Sequence, residues 1–154
     1  MHSVNIYNDY NLETITFMNS YDLLISHDIK PSVQRMAIMD YLASHKTHPS
    51  ADEIYNAIAP IIPTLSKTTV YNTLKLFAKQ GAVQLITIDE RTEHFDADIS
   101  IHAHFLCKTC GKIYDIFIPE KNIPSMRMLK NEGYLVDETH LYYKGICKNC
   151  RETK

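Results

Sequence analysis

The chain has 154 residues, of which 45% are hydrophobic, and its formal net charge at pH 7 is −2. This length suits one ordinary domain or two small ones, and the apolar content excludes wholesale disorder. The net charge excludes a uniformly basic nucleic-acid binder. Residues 1–19 lack the regions of a signal peptide, and no apolar run approaches the roughly 20 residues that span a bilayer. We therefore predict a cytoplasmic protein with no membrane partner.

Helical periodicity and capping signals predict four helices in the first half of the chain, after a polar and aromatic leader. Ser32, Ser50 and Ser66 are the predicted N-caps of the second, third and fourth helices. Glu53 completes a capping box with Ser50. The predicted spans are residues 12–27, 33–45, 51–59 and 67 to about 81.

The fourth predicted helix has two distinct faces. Val70, Leu74 and Phe77 recur at helical spacing and should face the core. The remaining surface offers amide, hydroxyl and cationic donors suited to base edges and phosphates, and residues 65–80 contain no acid. An ordinary amphipathic helix with a solvated face is the alternative. The candidate DNA contacts are Lys67, Thr68, Tyr71, Asn72 and Lys75.

Two strands, 83–88 and 93–97, should follow as a hairpin with its turn at 89–92. Helices followed by a hairpin in this order predict a winged helix-turn-helix, so residues 1–97 form a leader and a DNA-binding domain. After Asp98 the pattern changes to short strands at 104–106, 113–117 and 134–143, with a helix at 125–132. Residues 98–154 are thus a small α+β domain, and the fold class of the chain is α+β.

The strongest chemical signal is a pair of Cys-x-x-Cys motifs, formed by Cys107 with Cys110 and by Cys147 with Cys150. Two such knuckles complete a tetrahedron of thiolates around one ion, and Gly111 suits a turn that needs positive φ. A redox Cys-x-x-Cys is the alternative, but it normally occurs as a single pair at a helix start. The paired spacing predicts a structural zinc site, which is closed and not catalytic.

The histidines and aspartates are less decisive. His102 and His104 should lie on the same side of an extended segment, and Asp96 precedes them at the end of the predicted wing. His48 lies between helices of the first domain, and Asp115 follows the first knuckle. Their nitrogen and oxygen donors suit a harder metal than thiolates select, such as Fe(II) or Mn(II). For each imidazole alone, an ordinary surface or hinge residue is the favoured explanation. The set gains weight only if the fold brings His48 near His102.

In these residues and their spacing, the chain resembles the ferric uptake regulator family from about residue 23 to residue 151. The motifs that carry the resemblance are Gln34-Arg35, His48-Pro-Ser-Ala-Asp-Glu-Ile-Tyr55, Ser66-Lys-Thr-Thr-Val-Tyr-Asn-Thr-Leu74, Phe95-Asp96, His102-Ala-His104, residues 107–115 and Gly145-Ile-Cys147.

The resemblance implies a homodimeric repressor whose winged helices bind two half-sites of operator DNA. Residues 66–79 would enter the major groove, with Tyr71 contacting a base. It also implies that residues 98–154 mediate dimerisation. A regulatory metal site at the hinge between domains is implied as well, and its ligands correspond to His48, Asp96, His102, His104 and Asp115.

Within the family, aspartates at 96 and 115 with only two histidines before the first knuckle resemble the peroxide-responsive branch. In that branch Fe(II) reduces bound peroxide, and the oxidant attacks a ligand imidazole. The resemblance points to His48 and His102 as the oxidation-sensitive residues. Sensing of iron or manganese level without peroxide chemistry is the alternative. The stretch from Glu138 to His140 matches no second-site pattern cleanly, and we assign His140 no role.

Two other classes of function fit the sequence less well. A metal-dependent hydrolase needs an open coordination position and a positioned base, and the sequence contains no His-Glu-x-x-His motif or candidate nucleophile. A purely structural zinc module would leave the acid-free helix unexplained. We therefore predict a regulator and not an enzyme.

Overall fold

A computed structural model describes residues 19–119, 129 and 131–153. Among these residues, the first half of the chain contains four helices: α1 (Ser20–Ser26), α2 (Val33–Ser44), α3 (Ala51–Ile58) and α4 (Lys67–Lys79). Each ends within two residues of its predicted end. The predicted start of the first helix at residue 12 lies outside the described residues, as does the leader.

The predicted capping residues begin the helices. The side-chain oxygens of Ser32 and Ser66 accept hydrogen bonds from the third backbone amides of α2 and α4. Ser50 and Glu53 form the reciprocal capping box that opens α3. These bonds satisfy amides that have no partner inside the helix, which fixes where each helix starts.

The helices pack around one apolar core. Val70, Leu74 and Phe77 of α4 are completely buried, as the helical spacing predicts. From α2 the buried side chains are Ile38, Met39 and Leu42, which were also expected to share one face. Because α4 buries this side, its other side is left facing solvent.

The wing is an antiparallel pair of short strands, β1 (Gln84–Ile86) and β2 (His94–Asp96). Each strand is shorter than predicted, since only three residues on each side pair and residues 87–93 form a longer loop. A further isolated bridge joins Ser50 to His94 and ties the wing to the start of α3. The predicted winged helix-turn-helix is confirmed.

The second half contains a three-stranded sheet with the order β4-β3-β5. Strand β3 (Ala103–Cys107) is central, antiparallel to β4 (Ile113–Ile116) and parallel to β5 (Leu141–Gly145). A short helix, α5 (Lys148–Glu152), follows, and it was not predicted. The predicted helix 125–132 lies largely outside the described residues.

The predicted strand 134–143 is wrong over residues 134–140, which are irregular. The register explains this difference, because Leu141 pairs with Ala103, the first residue of β3. Before Ala103 the chain is the irregular connection from the wing, so β3 offers no pairing partner to residues 134–140. Within the described ranges, no helix is long and apolar enough to cross a bilayer.

Candidate metal centres and nucleic-acid interface

The four cysteines converge as the paired spacing predicts. Cys107 ends β3, and Cys147 is the residue before α5. The four sulfur atoms lie within 4.8 Å of one another, and the sulfurs of Cys110 and Cys147 are 3.9 Å apart. A tetrahedral zinc with Zn–S bonds of about 2.3 Å places its sulfurs about 3.8 Å apart. The donor set and spacing therefore fit structural zinc.

The knuckle backbone supports thiolate in this cluster. The amide of Cys147 donates a hydrogen bond to the sulfur of Cys107 at 3.3 Å. Amide hydrogen bonds, that of Cys147 first, lower the pKa of the Cys107 thiol. Gly111 has a φ of 73°, which is the left-handed turn expected after the first pair.

The histidines and aspartates also converge, and they come from both halves of the chain. His48 lies between α2 and α3, and Asp96 ends β2. His102 precedes β3, while His104 of β3 pairs directly with Asp115 of β4. One donor atom from each of the five residues lies within 4.8 Å of the others. The condition that the sequence left open, His48 near His102, is met.

The distances between donor atoms, apart from the shorter contact between His48 and Asp115, match the edges of a coordination polyhedron. From Nε2 of His102, the separations are 3.0 Å to Nε2 of His104, 3.1 Å to Asp96 and 3.3 Å to Asp115. Nε2 of His48 lies 2.6 Å from Asp115 and 3.6 Å from Asp96. Metal–ligand bonds of about 2.1 Å separate neighbouring ligands by about 3.0 Å at right angles and about 3.6 Å at 120°.

The tautomer of His102 adds a chemical argument. Its Nδ1 faces the carbonyl oxygen of Ser100 at 2.9 Å, and we assign the ring proton to Nδ1 because a carbonyl only accepts. The neutral ring then presents a lone pair on Nε2 to Asp96 and to His104. Such a convergence of acceptors requires a proton or a metal ion at its centre. The site thus fits a regulatory Fe(II) or Mn(II), with the Ser100 carbonyl orienting one ligand.

The electrostatics of this site favour positive charge at its centre. Burial lowers the pKa of His102, but the hydrogen bond to Asp96 and the charge of that carboxylate outweigh burial and raise it to about 9. Burial raises the pKa of Asp96, yet hydrogen bonds from His102, His104 and His48 hold it well below its ordinary value. A divalent cation would replace the proton that these groups attract.

His48 is held by contacts that the sequence did not reveal. Its φ is 54°, a left-handed conformation that is uncommon outside glycine. Nδ1 of His94 lies 2.8 Å from the carbonyl of His48, and the amide of Phe95 donates to the carbonyl of Pro49 at 3.1 Å. The wing therefore fixes the direction of the His48 side chain. A proline after the histidine was the only sequence signal of an unusual backbone here.

The predicted DNA-binding residues lie on the solvent side of α4. Lys67, Thr68, Tyr71 and Asn72 are exposed, and Lys75 is half-buried. A groove of about 530 Å³ runs between α4, the start of α3 and the wing loop. Arg91 of the wing loop lines it. From the sequence, Arg91 was predicted only as part of a turn. The sequence signal that could have identified Arg91 as a candidate DNA contact was its position within the predicted wing.

The amino-acid sequence of this chain is similar to those of known proteins. The sequence profile of the ferric uptake regulator family matches residues 26–144. The chain is 37% identical to the peroxide-responsive repressor PerR of Staphylococcus epidermidis over 126 residues, which are 80% of this chain and 83% of that protein. The identity to the PerR of Staphylococcus aureus strain Mu50 is 38% over 126 residues, covering 80% and 84%.

Solved structures share the fold. The ferric uptake regulator from Pseudomonas aeruginosa with manganese superposes with a TM-score of 0.70 at 23% identity, over 85% of this chain and 99% of that one. The ferric uptake regulator Fur of Helicobacter pylori gives a TM-score of 0.66 at 23% identity, over 83% and 86%.

A winged helix joined to a zinc-knuckle domain, with a second metal site built from both, defines a metal-dependent transcriptional regulator. The chain belongs to the ferric uptake regulator family.

Proposed function

We propose that this protein is a homodimeric repressor that binds operator DNA through α4 when Fe(II) or Mn(II) occupies the site of His48, Asp96, His102, His104 and Asp115. The observation that carries the proposal is that these ligands come from both halves of the chain. We take the domains to be residues 1–97 and 98–154, with zinc on the four cysteines as a structural ion.

The ligands divide between the two proposed domains in a way that supports regulation. His48 and Asp96 belong to the winged helix, whereas His104 and Asp115 belong to neighbouring strands of the other sheet. A metal ion shared by these groups would favour one interdomain angle. In a dimer, only some angles place both α4 helices in successive major grooves, so metal binding and DNA binding would be coupled reciprocally.

The second half also offers a surface for the dimer. Ile116, Tyr143 and Ile146 are each more than two-fifths exposed. Ile116 and Tyr143 lie on the same face of the sheet, and Ile116 and Ile146 line a groove beside the second knuckle. Exposed apolar patches of this kind mark interaction sites. We infer that this domain mediates dimerisation.

We further propose that the signal is peroxide, and that His48 or His102 is the residue oxidised. The relatives at 37% and 38% identity are peroxide-responsive repressors. Fe(II), when bound, would supply the electrons that reduce peroxide and so generate an oxidant beside the imidazoles. Both rings are buried at the site with Nε2 facing its centre. An added oxygen would change the ligand and weaken the shared site. Zinc-bound thiolates are poorer targets, because the metal takes up their reactive lone pairs.

Sensing of iron or manganese level without peroxide chemistry is the second candidate. The same five ligands favour it, because nitrogen and oxygen donors bind both metals. The two candidates differ only in what peroxide does to the iron-loaded protein.

The test uses an operator selected from a random DNA pool by the Mn(II)-loaded protein. We expect Fe(II) and Mn(II) each to support retardation of this DNA, and a brief peroxide exposure to abolish it only with iron. Peptide mass spectrometry should then find added oxygen on the peptides that contain His48 or His102. The exposed His45 and His140 are internal controls and should stay unmodified.

Unmodified histidines with retained DNA binding after peroxide would favour the metal-level sensor. Failure to select any DNA with either metal would contradict the repressor itself.

A further inference from the structure

Two lysines of the candidate DNA surface are bound to carboxylates from other elements. Nζ of Lys75 lies 2.6 Å from Oε1 of Glu93, which directly precedes β2. Nζ of Lys67 lies 2.8 Å from Oδ1 of Asp52, in the first turn of α3. Helix α4 itself carries no acid, so both carboxylates reach it from across the groove.

The pair of Lys75 and Glu93 is less exposed to solvent than the pair of Lys67 and Asp52. About a third of each side chain is exposed, against 61% and 71% for Lys67 and Asp52. Lys75 also lies over the ring of Tyr71, 5.4 Å from its centroid. The hydrogen bond to Glu93 raises the pKa of Lys75, so the ammonium stays charged and paired. Partial burial makes this contact less screened by solvent than a surface ion pair.

We propose that Glu93 competes with DNA phosphates for Lys75 and thereby weakens the binding of this protein to DNA of any sequence. The inference rests on the proposed function, in which α4 binds DNA. A phosphate that approaches Lys75 must displace the carboxylate, which then stays in the groove as a like charge beside the DNA backbone. Both effects oppose binding, and neither depends on base sequence.

The competition also predicts how binding depends on salt. While Lys75 stays paired with Glu93, it neutralises no phosphate and releases no counterion. Freeing Lys75 should add one phosphate contact, which steepens the slope of log K against log salt by about 0.9. Asp52 and Lys67 form a weaker version of the same arrangement, because their pair is largely exposed.

The test measures binding of Mn(II)-loaded protein to labelled random-sequence duplex DNA across a salt series. Glu93→Gln keeps an oxygen that can accept from Lys75 but removes the charge. We expect it to bind roughly threefold to tenfold more tightly at low salt, with the steeper slope. The matched control is Glu90→Gln, which removes the same charge from the same loop, where Glu90 faces Lys144 of β5. We expect the control to bind like the wild type.

A double variant separates the mechanism from a general change of charge. In a Lys75→Ala background, Glu93→Gln should no longer steepen the salt slope, because no ammonium is left to free. The smaller gain in affinity that remains there is the removal of the like charge alone. An equal gain with Glu90→Gln, or a steeper slope that survives without Lys75, would overturn the inference. So would unchanged affinity of Glu93→Gln when the wild type binds DNA, and that result leaves the proposed function intact. Absence of DNA binding by every variant would overturn both.

Discussion

His48 combines an uncommon left-handed backbone with a side chain of the proposed metal site. Non-glycine residues at positive φ cost of order 1 kcal/mol and persist where neighbouring contacts fix them. Here the neighbours are the His94 ring and the Phe95 amide, both from β2. The strand that carries Asp96 therefore also orients His48, so two ligands from distant parts of the chain form one rigid unit.

At the same scale, Tyr71 allows a test of sequence recognition. It is 45% exposed on the solvent face of α4 and lines the groove beside the wing loop. If its side chain contacts a base, Tyr71→Ala should weaken binding to the selected operator by about 1–3 kcal/mol, with a much smaller effect on random DNA. Fluorescence anisotropy on both duplexes measures the difference.

The control for Tyr71 is Tyr21→Ala, since Tyr21 is 53% exposed but lies on α1. Equal losses on operator and random DNA would show that Tyr71 contacts only the DNA backbone. No loss on either would remove this part of α4 from the groove.

At the scale of elements, the two cysteine knuckles join β3 to the start of α5. Residues 107 and 145 pair at the end of the parallel register, and Cys147 follows two residues later. Zinc on the knuckles would hold both strands at this end of the sheet. Metal binding of this kind contributes directly to the free energy of folding.

Replacement of Cys107 or Cys147 by Ser should therefore release one zinc per chain and unfold the three-stranded sheet or dissociate the dimer. A metallochromic dye measures the zinc, and circular dichroism with analytical ultracentrifugation measures fold and assembly. Asn149→Ser is the control, because Asn149 lies between the second pair of cysteines and is exposed. A serine variant that loses its zinc but keeps both its dimer and its melting temperature would contradict this role.

The elements that were predicted well are those with local signals. Helix α4 has a capping serine at its start and a buried face at helical spacing. Both signals lie within one short stretch of the sequence. Strand β5 lacks such a signal, because its start is set by pairing with Ala103, far away in the sequence. Tyr134 and Leu135 look like strand residues but are exposed, 63% and 93%, and pair with no strand among the residues that the structure describes. Tertiary pairing outweighed their β-propensity.

At the scale of the whole molecule, the contacts between the two halves in the described part of the chain include three that involve the metal site and the wing. Nε2 of His48 lies 2.6 Å from Asp115 at the metal site. The amide of Thr87, just after β1, donates to the hydroxyl of Tyr142 on β5 at 3.1 Å. Glu90 of the wing loop lies 3.7 Å from Lys144, but its side chain is 90% exposed, so this ion pair contributes little to docking. The wing is therefore docked on β5, and this angle is the one in which the five donors converge.

If docking and metal binding are coupled, removal of the Thr87–Tyr142 hydrogen bond should weaken the metal site, although the Tyr142 hydroxyl is not itself one of the five donors. Such a bond contributes about 0.5–1.5 kcal/mol, so Tyr142→Phe should lower Mn(II) affinity by roughly twofold to tenfold. Calorimetric titration of the zinc-loaded protein measures this. Tyr143→Phe is the control, because Tyr143 is the next residue of β5 and is half exposed. Identical Mn(II) affinity of both variants would show that docking does not contribute.

The metal sites differ in how far sequence alone defined them. The cysteine site followed from spacing, because each knuckle is local and only the meeting of the two is tertiary. For the second site, spacing placed His102 beside His104 and no more. That His48 belongs with them was implied by the family resemblance, because its approach depends on how the winged helix docks on the sheet. The pairing of Lys75 with Glu93 had no sequence signal, since the two lie 18 positions apart on different elements.

The parallel pairing of β3 with β5 also determines the order in which parts of the chain can fold during synthesis. Strand β3 leaves the ribosome well before β5, because partners such as Ala103 and Leu141 are separated by about forty positions. The winged helix is already complete by then, and its core contacts lie within it. Until β5 and the second knuckle have been synthesised, one edge of β3 has no partner. The zinc site then has only the first two of its four cysteine ligands. The nascent chain thus passes through a stage in which its DNA-binding half is formed while its metal-binding half still presents an open strand edge, the kind of edge that invites aggregation.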